Sequence, residues 1–135
     1  MVEHIMRRNF VFTEPEETLY SALQTMRLAR LRHLLVARGD RLLGILSYRE
    51  LLEELLAERL AAPPSDPRRV EDAMRPSPSF VTPRTPIAQA ADRLCRHGIG
   101  CLPVLEPRTH GPAEHGRLVG VVTEADLLRA AYLKR

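Results

Sequence analysis

Several residue types that mark particular protein classes are scarce in this sequence. Its 135 residues include no tryptophan, two cysteines and 4% aromatic residues. The longest uncharged apolar stretch is a handful of residues around 118–122, whereas a helix that spans a bilayer needs about 20. The amino terminus has no basic region followed by an apolar one, so we expect no secretory signal. These absences predict a globular protein with no membrane partner.

The cysteines and the charged residues narrow the class further. Cys95 and Cys101 lie six positions apart, which is not the spacing of a zinc or redox pair, so we expect a reducing, cytoplasmic setting. Twenty basic residues against 17 acidic ones give a net charge of +3, and every basic residue except Lys134 is an arginine. The arginines are dispersed rather than gathered in a stripe with aromatic residues. We therefore do not expect nucleic-acid binding.

The chain contains two copies of one sequence pattern. The segment 2–7 recurs as 70–75, an offset of 68, and the segment 41–47 recurs as 117–123, an offset of 76. Eight residues inserted in the second copy, at about 107–114, account for the change of offset. The 51 aligned positions hold 14 identities, where unrelated segments of this composition give about four. An internal duplication therefore organises the whole sequence.

Hydrophobic periodicity predicts the same elements in each copy. Apolar residues at helical spacing follow Leu19 and Ile87, and a second helix closes each copy, over 47–60 and 123–133. Aliphatic runs predict buried strands at 33–37, 42–46, 101–105 and 118–122. We predict an α+β fold of duplicated β-α-β-β-α units that pack sheet to sheet about a pseudo-twofold axis.

The duplication also predicts the domain organisation. The expected repeats are residues 1–60 and 70–135, with a proline-rich linker at 61–69. About 55 residues bury little surface alone, so we expect the two copies to share a core. A cleft between duplicated units is a favoured place for a ligand.

The start of the second helix carries the same short motif in both copies. Ser47 stands three residues before Glu50, and Thr123 stands three residues before Asp126, each pair ahead of an apolar helix. A hydroxyl and an acid at this spacing form a capping box, in which the two side chains bond the free amides of the first turn. On this motif alone, a structural role is sufficient.

Three motifs in fixed order resemble a tandem pair of CBS domains, also called a Bateman module. They are Val-Glu-x-x-Met at the head of each copy, the strand Leu102-Pro103-Val104, and Arg-Leu-x-Gly-hydrophobic-x-Ser/Thr-x-x-acid at 41–50 and 117–126. The resemblance covers nearly the whole chain. It implies a non-enzymatic module that requires no cofactor and binds an adenine-containing ligand such as AMP, ADP, ATP or S-adenosylmethionine.

The resemblance also implies which residues bind the ligand. The acid of the Ser/Thr-x-x-Asp motif holds ribose in the family, since a carboxylate accepts protons from both hydroxyls. Thr123 and Asp126 match this motif, and Ser47 and Glu50 match it with glutamate for aspartate. The Asp126 site would be completed by Val11, Leu31, Arg32 and His33. The opposite site would combine Ser47 and Glu50 with Ser79, Ile99, Gly100 and Cys101. Phosphate-binding positions of the family correspond here to Arg30, Arg32 and Arg49.

Two other groups of residues are interpreted structurally. The inserted loop carries His110 and His115 beside glutamates, but without rigid ligand spacing, so we interpret it as a solvated loop rather than a metal site. No motif places a base beside Cys101, so we interpret this cysteine as a packing residue.

The second helix of the first copy carries more apolar residues than one buried face needs, namely Leu51, Leu52, Leu55, Leu56 and Ala57. Such an excess predicts a homodimer interface. Together with what the resemblance implies, this predicts an adenine-nucleotide sensor that forms a homodimer and signals to a separate, unidentified protein. The alternative is a ligand-free module for oligomerisation or protein interaction.

Overall fold

The computed structural model describes residues 1–60, 67–76, 78–97 and 99–133, with the backbone alone at position 133. Its helices are α1 (Leu19–Ala29), α2 (Tyr48–Leu60), α3 (Val70–Ala73), α4 (Ile87–His97) and α5 (Glu124–Leu133). Its strands are β1 (Phe12–Thr13), β2 (His33–Arg38), β3 (Arg41–Ser47), β4 (Arg75–Pro76), β5 (Cys101–Glu106) and β6 (Arg117–Thr123). The α+β class predicted from the sequence is confirmed.

Two regions singled out in the sequence have different outcomes. The predicted linker at 61–69 falls mainly on 61–66, which lie outside the described residues. The inserted loop is exposed and contains a short 3-10 helix, Ala113–His115. Within the described part of the chain, no helix is long and apolar enough to cross a membrane.

The chain divides into two compact units, and each unit combines segments of both repeats. One, which we call the first-repeat unit, consists of residues 11–78. The other, which we call the second-repeat unit, consists of residues 1–10 and 79–135. The head of each repeat, 1–10 or 70–76, therefore belongs to the same unit as the strands and helices of the other repeat.

The first-repeat unit is built on the β2–β3 hairpin. These strands pair in antiparallel register, with His33 opposite Ser47, and β1 runs parallel to β2. The strand β4, from the head of the second repeat, pairs antiparallel with β3. Leu34 and Val36 of β2 and Leu46 of β3 pack with residues of α1, α2 and α3 in one core, which consists of Leu19, Ala22, Met26, Leu34, Val36, Leu46, Leu51 and Val70.

The second-repeat unit repeats this plan. The strands β5 and β6 pair antiparallel, with Cys101 opposite Thr123, and Val81 forms a parallel bridge to Val104. An antiparallel bridge joins Arg7, from the head of the first repeat, to Val121 of β6. The core here consists of Val2, Val81, Ala90, Leu94, Leu102, Val104, Val122 and Leu127.

Each head is held by equivalent backbone hydrogen bonds. The amide of Val2 donates to the carbonyl of Thr85 over 2.9 Å, and the amide of Val70 donates to the carbonyl of Glu17 over 2.8 Å. Both valines are fully buried, so each head contributes an apolar anchor to the core of the unit that it joins.

A methionine and an arginine of each head lie against a glycine in the facing strand. A Cβ atom on Gly44 would lie 2.8 Å from the carbonyl oxygen of Arg75, and one on Gly120 would lie 2.9 Å from that of Arg7. The sulfur of Met74 or Met6 would be equally close. Because the obstructing oxygens belong to the backbone, they cannot move aside as a side-chain tip would. The head motif and the strand glycine are therefore parts of one contact.

Replacing either glycine tests this contact. We expect Gly44→Ala and Gly120→Ala each to lower the free energy of unfolding by about 1–3 kcal/mol, because the added methyl group must push the head away. Urea titration followed by circular dichroism measures the change. The control is Leu28→Ala on the exposed face of α1, for which we expect a change within about 0.5 kcal/mol. Unfolding midpoints equal to that of the control would contradict the tight contact.

Candidate functional site

The start of α2 is fixed by a capping box that also binds an arginine. The amide and the hydroxyl of Ser47 donate to Oε1 of Glu50 over 3.3 and 2.7 Å, and the amide of Glu50 donates back to the Ser47 hydroxyl over 3.1 Å. Nε of Arg75, from the head of the second repeat, donates to Oε2 of Glu50 over 2.6 Å. One carboxylate thus closes the helix end and secures the head.

The start of α5 has the same arrangement with equivalent residues. The amide and the hydroxyl of Thr123 both donate to Oδ2 of Asp126 over 2.9 Å, and the amide of Asp126 donates to the Thr123 hydroxyl over 3.2 Å. Nε of Arg7 donates to Oδ1 of Asp126 over 3.0 Å. Asp126 is 5% exposed, whereas the side chain of Arg7 is 51% exposed. The arginine therefore covers the carboxylate and remains open to solvent itself.

The surroundings of Glu50 change the acidity of its carboxyl group. Partial burial raises the pKa, but the hydrogen bonds from Arg75 and Ser47 lower it by more, so the pKa lies below its ordinary value of 4.5. The charged form is therefore the one that the folded protein stabilises.

A pocket of about 690 Å³ opens beside the first residues of β2 and α2 in the first-repeat unit. Its size is that of a small-molecule site. Four arginines stand in its wall, and the amino-terminal end of α2 contributes a partial positive charge. The lining residues are Met26, Arg27, Arg30, Leu31, Arg32, His33, Ser47, Tyr48 and Arg49. This combination of apolar and basic groups suits an anion that also carries an apolar part.

Arg30 adopts an unusual backbone conformation at the rim of this pocket. It ends α1 in the left-handed region, with φ +56°, and the amide of Leu31 donates to the carbonyl of Met26 over 2.9 Å. This is the helix-ending motif in which glycine is the usual residue at the left-handed position. A side chain at that position costs about 1 kcal/mol.

Six of the residues implicated by the sequence meet in this pocket. They come from both of the expected composite sites, because β2 and β3 are adjacent, and they are Arg30, Leu31, Arg32, His33, Ser47 and Arg49. Glu50 is bonded to Ser47 but does not line the pocket, and Val11 does not line it either.

The other implicated residues belong to the second-repeat unit. The carbonyl of Gly100 accepts a hydrogen bond from the amide of Glu124 over 3.3 Å, and Cys101 lies across from Thr123. Ser79 and Ile99 are half-buried. The two composite sites each draw on residues of both units, and they stay predictions.

Sequence reasoning missed several residues that matter here. Arg27 and Tyr48 line the pocket, and Arg7 and Arg75 hold the capping acids. The two head arginines carried a usable signal, since both copies have arginine at this position and the motifs that contain their partners also recur, with Ser47 and Glu50 in place of Thr123 and Asp126. Arg27 lies in the last turn of α1, three positions before Arg30, which follows the helix end.

Two roles, a nucleophilic cysteine and a metal site, find little support among the described residues. Burial raises the pKa of the Cys101 thiol to about 11, so this group is not a thiolate at neutral pH. Among the residues that the structure describes, no three histidine, cysteine or acidic side chains are grouped as metal ligands.

Comparison with known sequence families identifies the class of protein. The sequence profile of the CBS domain matches residues 2–57 and 70–133. The chain therefore belongs to the CBS domain family and contains a tandem pair of these domains.

Several individual proteins are similar to this chain in sequence or in structure. CBSX2, whose crystal structure was solved in complex with AMP, is 27% identical in sequence to this chain. The comparison covers 99% of this chain and 98% of that chain, with a TM-score of 0.79. Hypoxic Response Protein I, crystallised with two coordinated zinc ions, is 29% identical over 95% of this chain and 96% of that chain, with a TM-score of 0.75. An uncharacterized 33.4 kDa protein in the ribosomal RNA operon of Thermofilum pendens is 27% identical over an alignment of 136 residues, gaps included, which covers 94% of this chain. This chain spans 42% of the length of that relative.

The acidity of Glu50 predicts a pH dependence of stability. Since its pKa is lowered in the folded state, the stability that it contributes is present above about pH 4.5 and is lost as the pH falls through the folded-state pKa. We therefore expect the difference in unfolding free energy between the wild type and Glu50→Gln to shrink with falling pH below that value. Urea unfolding at a series of pH values measures this difference.

The matched control is Glu53→Gln on the same helix, because Glu53 is 68% exposed and lies 3.6 Å from Arg49. Its difference from the wild type should be small at every pH. If the Glu50→Gln difference stays constant across the acid range, the carboxylate has no preferential stabilisation in the folded state.

Proposed function

We propose that this chain is a regulatory module that binds an adenine nucleotide and, when the nucleotide is bound, signals to a separate protein. The observation that carries the proposal is the pocket of about 690 Å³ in the first-repeat unit, with its four arginines and the start of α2. A nucleotide combines an apolar ring with an anionic phosphate chain. The apolar and basic side chains that line this pocket suit these two parts.

The lining residues divide into two groups with different roles. Met26 and Leu31 offer apolar contact to the base, and Tyr48 offers a ring on which the base can stack. The guanidinium groups of Arg32 and Arg49 present paired donors that match phosphate oxygens. The phosphates therefore bind near the start of α2, where the helix dipole also favours negative charge.

Ribose binding by the capping acids is a separate part of the proposal. Oε1 of Glu50 accepts from the amide and the hydroxyl of Ser47, and Oε2 accepts from Arg75, so Oε2 keeps one lone pair for a ribose hydroxyl. Asp126 is more enclosed, and a ribose reaches it after the exposed side chain of Arg7 moves. The Asp126 site expected from the sequence depends on this step.

The comparisons support an adenine ligand and a regulatory role. CBSX2, 27% identical and similar over almost its full length, was crystallised with AMP. A ligand shifts the population of any conformation to which it binds more tightly, and a partner that recognises that conformation receives the signal. Burial keeps the Cys101 thiol protonated, which disfavours this residue as a nucleophile. A cytoplasmic setting remains a prediction from cysteine usage.

Nucleotide titration of the intact protein tests the proposal. Calorimetry and thermal unfolding with AMP, ADP, ATP and S-adenosylmethionine should show saturable binding and a raised melting temperature for at least one of them. We expect Arg32→Gln to weaken that binding about tenfold, because it removes a charge-assisted hydrogen bond.

Arg59→Gln is the matched control, since Arg59 lies in the last turn of α2 and does not line the pocket. Its affinity should stay within about twofold of the wild type. Absence of binding by every adenine compound, with the fold intact, would overturn the proposed function.

A second candidate function rests on a stripe of exposed leucines on α2. Leu51 and Leu55 pack in the core of the unit, but Leu52, Leu56 and Leu60 are 43%, 61% and 76% exposed at a spacing of four residues. We propose that this stripe pairs with the same stripe of a second copy, because a self-complementary apolar seam suits a twofold interface. The chain would then be a homodimer.

The oligomeric state tests this pairing directly. We expect light scattering after size exclusion to give a dimer mass for the wild type and a monomer mass for Leu56→Glu, because the charge disrupts an apolar seam. Leu28→Glu, on the exposed face of α1, is the control and should remain dimeric. A monomeric wild type would contradict the homodimer.

A further inference from the structure

The positive charge of the pocket is confined to one of the two units. The start of α2 and the start of α5 are equivalent, because the amide of Tyr48 donates to the carbonyl of Arg32 over 2.8 Å and the amide of Glu124 donates to that of Gly100 over 3.3 Å. At the repeat offsets, the four arginines of the pocket correspond to Cys95, Gly98, Gly100 and Ala125. None of the four pocket arginines therefore has a basic residue at the equivalent position of the second repeat.

The backbone of Arg30 gives independent evidence that this charge has a function. The corresponding residue in the second repeat is Gly98, the residue that a left-handed helix end ordinarily uses. Arg30 occupies the left-handed conformation with φ +56° although a glycine would adopt it without strain. Strain of this kind persists where the side chain serves another purpose.

Purely structural roles do not account for all of these arginines. Arg27 in the last turn of α1 complements the negative end of the helix dipole. Arg49 lies 3.6 Å from Glu53, and among the described residues it is the one pocket arginine with an ion pair. Arg30 and Arg32 therefore contribute charge that no carboxylate in the described segments balances, next to an open pocket of ligand size.

We infer that this pocket selects ligands with a chain of two or more phosphates, and that Arg30 is a residue that sets this selectivity. The inference rests on the proposed function and specifies which nucleotides bind. Each further phosphate adds negative charge and acceptor oxygens, whereas one phosphate can occupy only part of a group of four guanidinium forks. Nucleoside triphosphates and diphosphates therefore bind more tightly than the monophosphate.

A titration series with wild-type protein measures the selectivity. Calorimetry with AMP, ADP, ATP and inorganic tripolyphosphate should give tighter binding as the phosphate chain lengthens, with ATP at least about tenfold tighter than AMP. Tripolyphosphate separates the contribution of the phosphate chain from that of the base. Its binding should also weaken with added salt.

Substitutions at position 30 test the residue itself. Arg30→Gly removes the charge and the strain together, so we expect ATP affinity to fall about tenfold, AMP affinity to change less than about twofold, and the melting temperature not to fall. Arg30→Lys keeps the charge and should retain most of the ATP preference. A retained ATP preference in Arg30→Gly would overturn the role of Arg30.

The remaining outcomes separate this inference from the proposed function. Equal affinity for AMP and ATP in the wild type would overturn the selectivity and leave the nucleotide-binding role intact. Failure of every adenine compound to bind, with Arg30-dependent binding of tripolyphosphate, would overturn the nucleotide role and support phosphate-chain recognition. Failure of all four probes would overturn both.

Discussion

The structure depends on one repeated contact, in which a methionine and an arginine from the head of one repeat lie on the strand glycine of the other. The arginine then pairs with the acid that caps the following helix, Arg75 with Glu50 and Arg7 with Asp126. A Cβ atom on either glycine would lie within 3 Å of the head backbone, so the fit leaves no room for a side chain. Each repeat therefore needs the other for a complete core.

The same contact also fixes the start of α2, which borders the candidate site. The start of α2 borders the pocket, and its position is set by the capping box of Ser47 and Glu50 together with Arg75. A change at the pocket that disturbs Glu50 must therefore also affect the head of the second repeat. The proposed regulatory function requires such a physical connection between the candidate pocket and a distant segment of sequence.

The sequence predicted the class and most elements of the fold, because apolar spacing and the repeat offset report directly on strands and helices. It could not predict that each head packs in the unit of the other repeat. Val2–Arg7 and Val70–Arg75 are so similar that either head suits either strand pair. For the pocket, the sequence indicated six of the nine lining residues, among them Arg30 and Arg49. The left-handed conformation of Arg30 depends on how α1 ends, and the joining of residues 30–33 with Ser47 depends on strand register, so neither followed from spacing.

The packing of each head in the unit of the other repeat is tested most directly by removing the head of the first repeat. In a chain that begins at residue 11, native-state hydrogen exchange should show amides of β6 and α5 losing protection by a much larger factor than those of β2 and β3. This follows because Val2 and Met6 pack in the core of the second-repeat unit and Arg7 pairs with Val121 there. The first-repeat unit instead packs against the head of the second repeat, 70–76, which the truncated chain retains. Equal loss in both units, or greater loss in β2 and β3, would contradict this packing of the heads.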